Sequence, residues 1–340
     1  MFVNLLSDTV TKPTEAMLRA MMGASVGDDV FGEDPTVNRL EAKVAELFGR
    51  EAALFCPSGT MTNQIALRVH TKPLDEVICD HYAHIYQSEV GGYASNAGIG
   101  VKLIEGTFGK ITAGQVAQAI NAPHDWLCRS SLVVLENTHN KGGGSIYNLQ
   151  EIAPIARLCT ERGLKLHLDG ARLFNALVET HETAAEYGRV FDSISVCMSK
   201  GLGAPVGSLL VGDKGFVAEA RRFRKAMGGG MRQAGYLAAA CIYALDHHVM
   251  RLALDHQHAR QLGDTLRSCA WVHTIKPVQS NIVIFECNEA VLDAPTALHR
   301  MLERGVKASL FGHNTIRLVT HLDVTPSMIT YAQSVLASLI

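Results

Sequence analysis

Between about residues 54 and 210, short β-rich apolar runs alternate with stretches whose apolar residues recur every three or four positions. Few folds satisfy that alternation. A parallel sheet needs a crossover helix between successive strands, and its strands, covered on both faces, read as nearly unbroken apolar runs. The runs at 53–56, 77–79, 101–104, 132–135, 165–168, 193–198 and 208–211 fit such strands, and 60–70, 113–120 and 149–161 have the spacing of amphipathic helices. The pattern predicts a large doubly wound, mainly parallel α/β domain. After Gln233 an Ala- and Leu-rich helical stretch runs to about Leu266 and reads as a connector. Strand-like runs at 271–275, 281–285 and 315–319, with helices near 296–304 and from Pro326, predict a small C-terminal α+β domain. With 340 residues and about 150 residues per domain, two units are expected: 1–250, an N-terminal arm plus the large domain, and 251–340, the small one.

Composition then removes whole classes of function. Lys plus Arg is 31 and Asp plus Glu 33, giving a net charge of −2 and no basic excess to neutralise a nucleic-acid backbone. The longest apolar run, 236–245, stops at Asp246, short of the ~18 to 20 residues of a membrane helix. No nucleic-acid or membrane partner is expected. The N-terminus meets Asp8 without the basic-then-apolar order of a secretory signal. The 8 cysteines include no Cys-x-x-Cys pair and sit mostly in apolar contexts, so buried reduced thiols and a cytoplasmic location are expected.

Three segments at strand ends carry the chemistry. In Cys56-Pro57-Ser58-Gly59-Thr60 a strand gives way to a glycine turn and a helix, whose first N–H groups favour an anion, with Ser58 and Thr60 adding hydroxyls. Taken alone, this is equally an ordinary capped turn. In His167-Leu168-Asp169-Gly170-Ala171-Arg172 an acid leaves the carboxyl end of a strand, where open α/β sheets bind ligands, although a helix cap would look the same. In Met198-Ser199-Lys200-Gly201-Leu202-Gly203 a lysine leaves an apolar strand; it is either a Schiff-base nucleophile or a snorkelling cation. Together the three supply a phosphate anchor, a pyridinium partner and a Schiff-base amine, the parts that pyridoxal 5′-phosphate requires.

These residues, with Ser7-Asp8-Thr9-Val10-Thr11, Gly27-Asp28-Asp29-Val30, Leu135-Glu136-Asn137-Thr138-His139-Asn140, Gly228-Gly229-Gly230-Met231-Arg232-Gln233 and Arg317-Leu318-Val319-Thr320-His321, make a sequence that resembles the low-specificity threonine aldolases over nearly its whole length. The resemblance implies a fold-type I pyridoxal-phosphate lyase that splits L-threonine or L-allo-threonine into glycine and acetaldehyde. By motif match, Lys200 carries the cofactor, Asp169 pairs with its pyridine nitrogen, and Ser58, Gly59 and Thr60 hold its phosphate, with Arg232 reaching over from a neighbouring subunit. Ser7, Arg172 and Arg317 match positions that grip the substrate carboxylate, and Arg172 also lies beside the cofactor. His84 matches a histidine that stacks on the cofactor ring, faces the β-hydroxyl and has a suitable intrinsic pKa to take its proton. The resemblance further implies a homo-oligomer, a homotetramer built as a dimer of dimers. A β-eliminating lyase, racemase or aminotransferase of the same fold, or a non-catalytic pyridoxal-phosphate-binding regulator, would share the lysine and the acid.

Two departures bear on stereochemistry. Where many relatives carry a second histidine this chain has Trp126, with His124 nearby, and where relatives often carry tyrosine it has Phe31. The histidines of 246–258 lie at helical spacing and read as a solvated face, as does the basic run Arg221-Arg222-Phe223-Arg224-Lys225. No metal site is expected there.

Overall fold

The computed structural model describes residues 1–340. Its strands are β1 (Val3–Asn4), β2 (Ala52–Cys56), β3 (Asp75–Asp80), β4 (Gly100–Ile104), β5 (Arg129–Glu136), β6 (Lys165–Gly170), β7 (Ser193–Cys197), β8 (Ser208–Gly212), β9 (Val272–Ile275), β10 (Ile282–Cys287), β11 (Val306–Lys307), β12 (Ser309–Leu310) and β13 (Thr315–Val319). β2 to β8 form one sheet in the order β2-β8-β7-β6-β5-β3-β4. Only β8 runs against the others, being antiparallel to both β2 and β7. The carboxyl ends of β2, β3, β5, β6 and β7 therefore open on one edge, which brings Gly59, His84, Glu136, Asp169 and Lys200 to the same side of the sheet.

The apolar runs form strands because both sheet faces are covered. β7 and β8 are buried throughout, and β5 is buried over its last six residues. The helix Pro35–Leu47 starts where Asp34 accepts the N–H groups of Thr36 and Val37, with proline at the first helical position. A second sheet, β12-β13-β10-β9, belongs to a separate core that contains Trp271, Phe285, Leu318 and Leu336. The large sheet and this small sheet thus pack into two distinct cores.

Four local expectations change. The N-terminal segment, grouped above with the large unit, sends β1 to pair in parallel with β11, and Val3 and Leu5 sink into the small core. Strands of two residues carry no periodicity to announce them. The stretch after Gln233 is two helices, Gly235–His247 and Leu252–Arg267, bent by 71°. At the break the buried His248 donates its Nδ1–H to the carbonyl of Leu202 at 2.6 Å, tying the bend to the turn after Lys200. The bend carries Leu252 into the large core and Ala259, Leu262 and Leu266 into the small one.

Consequently most of the expected solvated histidine face is buried: His256 bonds Glu179 (2.6 Å) and Asn175 (2.9 Å), and His258 is enclosed, whereas His247 is exposed as expected. In the basic run Arg224 is buried, donating to the Phe55 carbonyl at 2.7 Å and pairing with Asp29 at 2.8 Å. All 8 cysteines are free; Cys128 is exposed and Cys269 half-buried, the rest buried. No single helix is long and apolar enough to cross a membrane.

Leu5 has no exposed surface in the small core. Leu5→Ala is expected to cost about 2–5 kcal/mol, read as a lower midpoint in chemical unfolding.

Candidate active site

The helix Gly59–His70 begins at the carboxyl end of β2, with Ser58 as its cap, accepting the N–H of Met61 at 3.2 Å. The N–H groups of Gly59 and Thr60 donate to no protein acceptor and remain available to an anion. Glycine is required at 59, because a Cβ there would lie 2.5 Å from the Cys197 sulfur at the end of β7. Lys200 follows β7 by three residues, in a turn closed by the Gly203 N–H on the Lys200 carbonyl at 2.8 Å. Gly203 holds that turn at a φ of +80°, where a side chain would strike Leu322. The Thr11 hydroxyl bridges the carbonyls of Asp8 and Lys200, 3.0 Å from each, so the N-terminal segment braces the lysine turn.

Asp169 is buried at the carboxyl end of β6. Its Oδ2 accepts from Asn63 Nδ2 at 2.8 Å and its Oδ1 from the Ala171 N–H at 3.2 Å. His84 stands on the short helix after β3, its side chain 30% exposed, so that one part of the ring is reachable from the pocket. Its backbone N–H donates to Glu136 at 2.8 Å, and its Nδ1 lies 2.9 Å from Glu89 Oε1. Burial alone would lower the imidazole pKa, but the Glu89 hydrogen bond and the charges of Asp169 and Glu136 outweigh it and raise the ring above its ordinary 6.5. The ring nitrogen of His84 and the carboxylate oxygens of Glu89 and Asp169 lie within 4.8 Å of one another.

Arg172 is buried and grips Asp8 with both Nε (2.7 Å) and Nη2 (2.6 Å). Asn281 of the small unit adds a third hydrogen bond to the same carboxylate at 3.2 Å. Burial would raise the Asp8 carboxyl, but Arg172, with Lys200 and Asn281, holds it well below the usual carboxylate range. One edge of the Arg172 fork is therefore committed, leaving Nη1 and the second hydrogen of Nη2 for a ligand. Arg317, on β13, donates to Asn140 Oδ1 (2.9 Å) and the Leu6 carbonyl (3.2 Å), while its buried Nε has no partner. Burial and then the charge of Arg172 pull Arg317 down to about 10. A guanidinium with an idle donor, within reach of the charge of a second, is the chemistry that an acid group would bind. Ser7 caps the turn Asp8–Val10, its Oγ accepting from the Thr9 N–H at 3.2 Å and the Thr9 hydroxyl at 2.8 Å.

Not every expected residue joins this group. Arg232 is exposed and pairs with Asp28 at 2.8 Å, its guanidinium 6.0 Å from the Phe31 ring. His124 and Trp126 stack on each other, 4.4 Å between ring centres, just before β5 and thus at the opposite end of the sheet from Lys200. Within the chain neither replaces a second histidine. Sequence reasoning gave no role to Asp8, Asn63, Glu89 or Asn140. The adjacent amides Asn63-Gln64, ahead of Ile65-Ala66-Leu67 on one helix, were the available signal, since amides seldom enter a core without a partner.

Removing one partner of a buried ion pair strands the other charge. Asp8→Asn is expected to cost about 3–5 kcal/mol in thermal or chemical unfolding. Because the folded-state value of Asp8 is depressed, its contribution is complete above the ordinary 3.8 and is lost only as pH falls through the folded value. The gap between Asp8→Asn and the unaltered chain should thus hold from pH 7 to about 4 and close in stronger acid.

Comparison with known proteins agrees with this geometry. Residues 4–290 match the family model described as beta-eliminating lyase. The low specificity L-threonine aldolase of Escherichia coli K12 is 42% identical over 324 residues, covering 95% of each chain. Low-specificity L-threonine aldolase 1 of Arabidopsis thaliana is 38% identical over 338 residues, 98% of this chain and 94% of its own. The Leishmania major threonine aldolase structure shares the fold with a TM-score of 0.86 at 24% identity, over 99% of both chains. An open helix end, an acid and a lysine converge on one sheet edge in a chain related along its length to these proteins, and the chain belongs to the beta-eliminating lyase family, on its low-specificity threonine aldolase branch.

Proposed function

We propose that the protein is a low-specificity L-threonine aldolase, a carbon–carbon lyase that cleaves L-threonine and L-allo-threonine to glycine and acetaldehyde with pyridoxal 5′-phosphate as cofactor. The observation that carries this reading is the meeting of Lys200, Asp169 and the open N-terminus of the Gly59–His70 helix beside the idle donor of Arg317. The residues fit the cofactor. A phosphate needs free N–H groups at a close approach, which Gly59 and Thr60 offer where a Cβ on residue 59 would intrude. Bound there, pyridoxal phosphate supplies an acceptor for the electron pair left on Cα when the Cα–Cβ bond breaks.

Lys200 would hold the cofactor covalently, and Asp169, fixed by Asn63, would face its ring nitrogen and favour the protonated form. Ser58, Gly59 and Thr60 would take the phosphate, joined by Arg232 of a second copy. Arg317, the free Nη1 of Arg172 and the Ser7 hydroxyl would grip the substrate carboxylate and so decide which Cα bond is set for cleavage. His84 then takes the proton of the β-hydroxyl as that oxygen becomes the aldehyde carbonyl. We further propose a homotetramer, a dimer of dimers, as the family resemblance implies, with Arg232, exposed and paired with Asp28 in its own chain, within reach of a second copy. A cytoplasmic location is proposed on the 8 unpaired cysteines.

Incubation with the four threonine stereoisomers should release acetaldehyde and glycine from the two L forms; a keto acid or ammonia instead would assign another reaction of this fold. Lys200→Ala should abolish release. Arg317→Ala removes a charge-assisted contact worth about 1.5–3 kcal/mol, so KM for L-threonine should rise roughly ten- to hundredfold. His84→Asn should lower turnover by about a hundredfold or more in steady-state assays.

A further inference from the structure

Glu89 is a buried acid beside His84: its side chain has 0% exposure. Its carboxylate accepts three hydrogen bonds, from His84 Nδ1 and Asn63 Nδ2 on Oε1, each 2.9 Å, and from Gln64 Nε2 on Oε2 at 2.5 Å. The directions of these bonds are forced. Asn63 gives its amide nitrogen to two carboxylates, Glu89 and Asp169, so its oxygen faces His167 Nε2 at 3.2 Å and that ring must donate. Burial holds His167 near 4, hence neutral, and its Nδ1 accepts from the Ser193 hydroxyl at 2.8 Å. A carboxylate cannot donate, so the proton between Glu89 and His84 sits on His84 Nδ1. In the neutral ring this leaves Nε2 bare.

The chain bends sharply to deliver that acid. Val90, fully exposed and β-branched, is held at a φ of +57°, a conformation such a residue adopts at a cost. Gly92 clears the way on the other side, since a Cβ there would stand 2.7 Å from the Gln64 amide. An exposed strained residue next to a wholly buried acid indicates that the inward turn of Glu89 is what the loop sustains.

We propose that Glu89 is a positioning residue that fixes His84 in the Nδ1–H form, with Nε2 turned to the pocket as proton acceptor, and through Asn63 couples that setting to the orientation of Asp169. The proposal rests on the aldolase reading for the proton's source, but not for the state of the ring. In the reacting step the hydroxyl O–H bond breaks and an Nε2–H bond forms, while the Nδ1 proton stays on the imidazole and spreads the new charge towards Glu89. The other charged groups facing His84 are Asp169 from β6 and Glu136 from the end of β5, with His139 and Asp80 behind Glu136.

The first test is long-range proton–nitrogen NMR on the full-length, cofactor-loaded protein, with the His84 signal assigned by its loss in His84→Asn. At a pH above the ring's titration, a proton on Nδ1 and none on Nε2 is expected; a proton on Nε2 overturns the proposal whether or not threonine is cleaved. The second is the pH profile of Glu89→Gln and Glu89→Asp. Loss of the negative charge should lower the pKa of the ring, moving the acid limb of kcat/KM for L-threonine down by about one pH unit or more in Glu89→Gln. kcat should fall about a hundredfold with KM changed less than about threefold, and Glu89→Asp should return the limb towards its original place. An unmoved limb in folded, cofactor-saturated Glu89→Gln overturns the proposal, and if that variant fails to fold the NMR result on the unaltered chain decides. Absence of threonine cleavage by the unaltered protein would refute the aldolase reading alone.

Discussion

A carboxylate with no exposed surface, Asp8, meets a guanidinium from the other half of the chain, Arg172, through two hydrogen bonds. Taking both groups out of water costs several kcal/mol each, and what repays it is close bidentate geometry with the remaining lone pairs occupied. Asn281 fills one of those lone pairs, so three distant segments must be in place together. The N-terminal turn brings Asp8 and Ser7, the end of β6 brings Arg172, and the small unit brings Asn281 and, on β13, Arg317. The arrangement proposed to grip the substrate carboxylate is thus a property of the assembled fold. The lysine turn depends on the same segment through Thr11.

Around His84 and Asp169 the organising group is neutral. Asn63 gives one amide hydrogen to Glu89 and the other to Asp169 and turns its oxygen to His167, satisfying every strong hydrogen-bonding position of the side chain. A buried polar chain of this kind is costly when any member is missing and rigid when complete. Two carboxylates are thereby kept at fixed orientations while the exposed part of His84 remains free to meet a ligand.

The large sheet was legible because parallel strands buried on both faces read as apolar runs, and those runs end close to where β2 to β8 end. Lys200, Asp169 and Gly59 stood out for the same reason, as polar or small residues at the points where such runs stop. His84 and Arg317 entered through family resemblance rather than spacing. What could not be read involves partners far apart in sequence: nothing local marks Asp8 for Arg172, or β1 for β11. Helical spacing does not show which face of the stretch after residue 246 is covered: His247 stays exposed, while past the 71° bend His256 and His258 are buried. Glu89 was hidden for a related reason, since an acid five positions beyond a histidine lies on no shared helix face once the helix ends at Gln87.

The pairing of β1 with β11 has a consequence for synthesis on the ribosome. Val3 and Leu5 are made roughly three hundred residues ahead of their partner Val306 and most of the core they join. At about 5–20 residues per second, that leaves two apolar side chains without their final seat for tens of seconds while the large sheet can already close. The small unit therefore completes after the large sheet, and the stretch around β1 is the segment a chaperone would have long to hold.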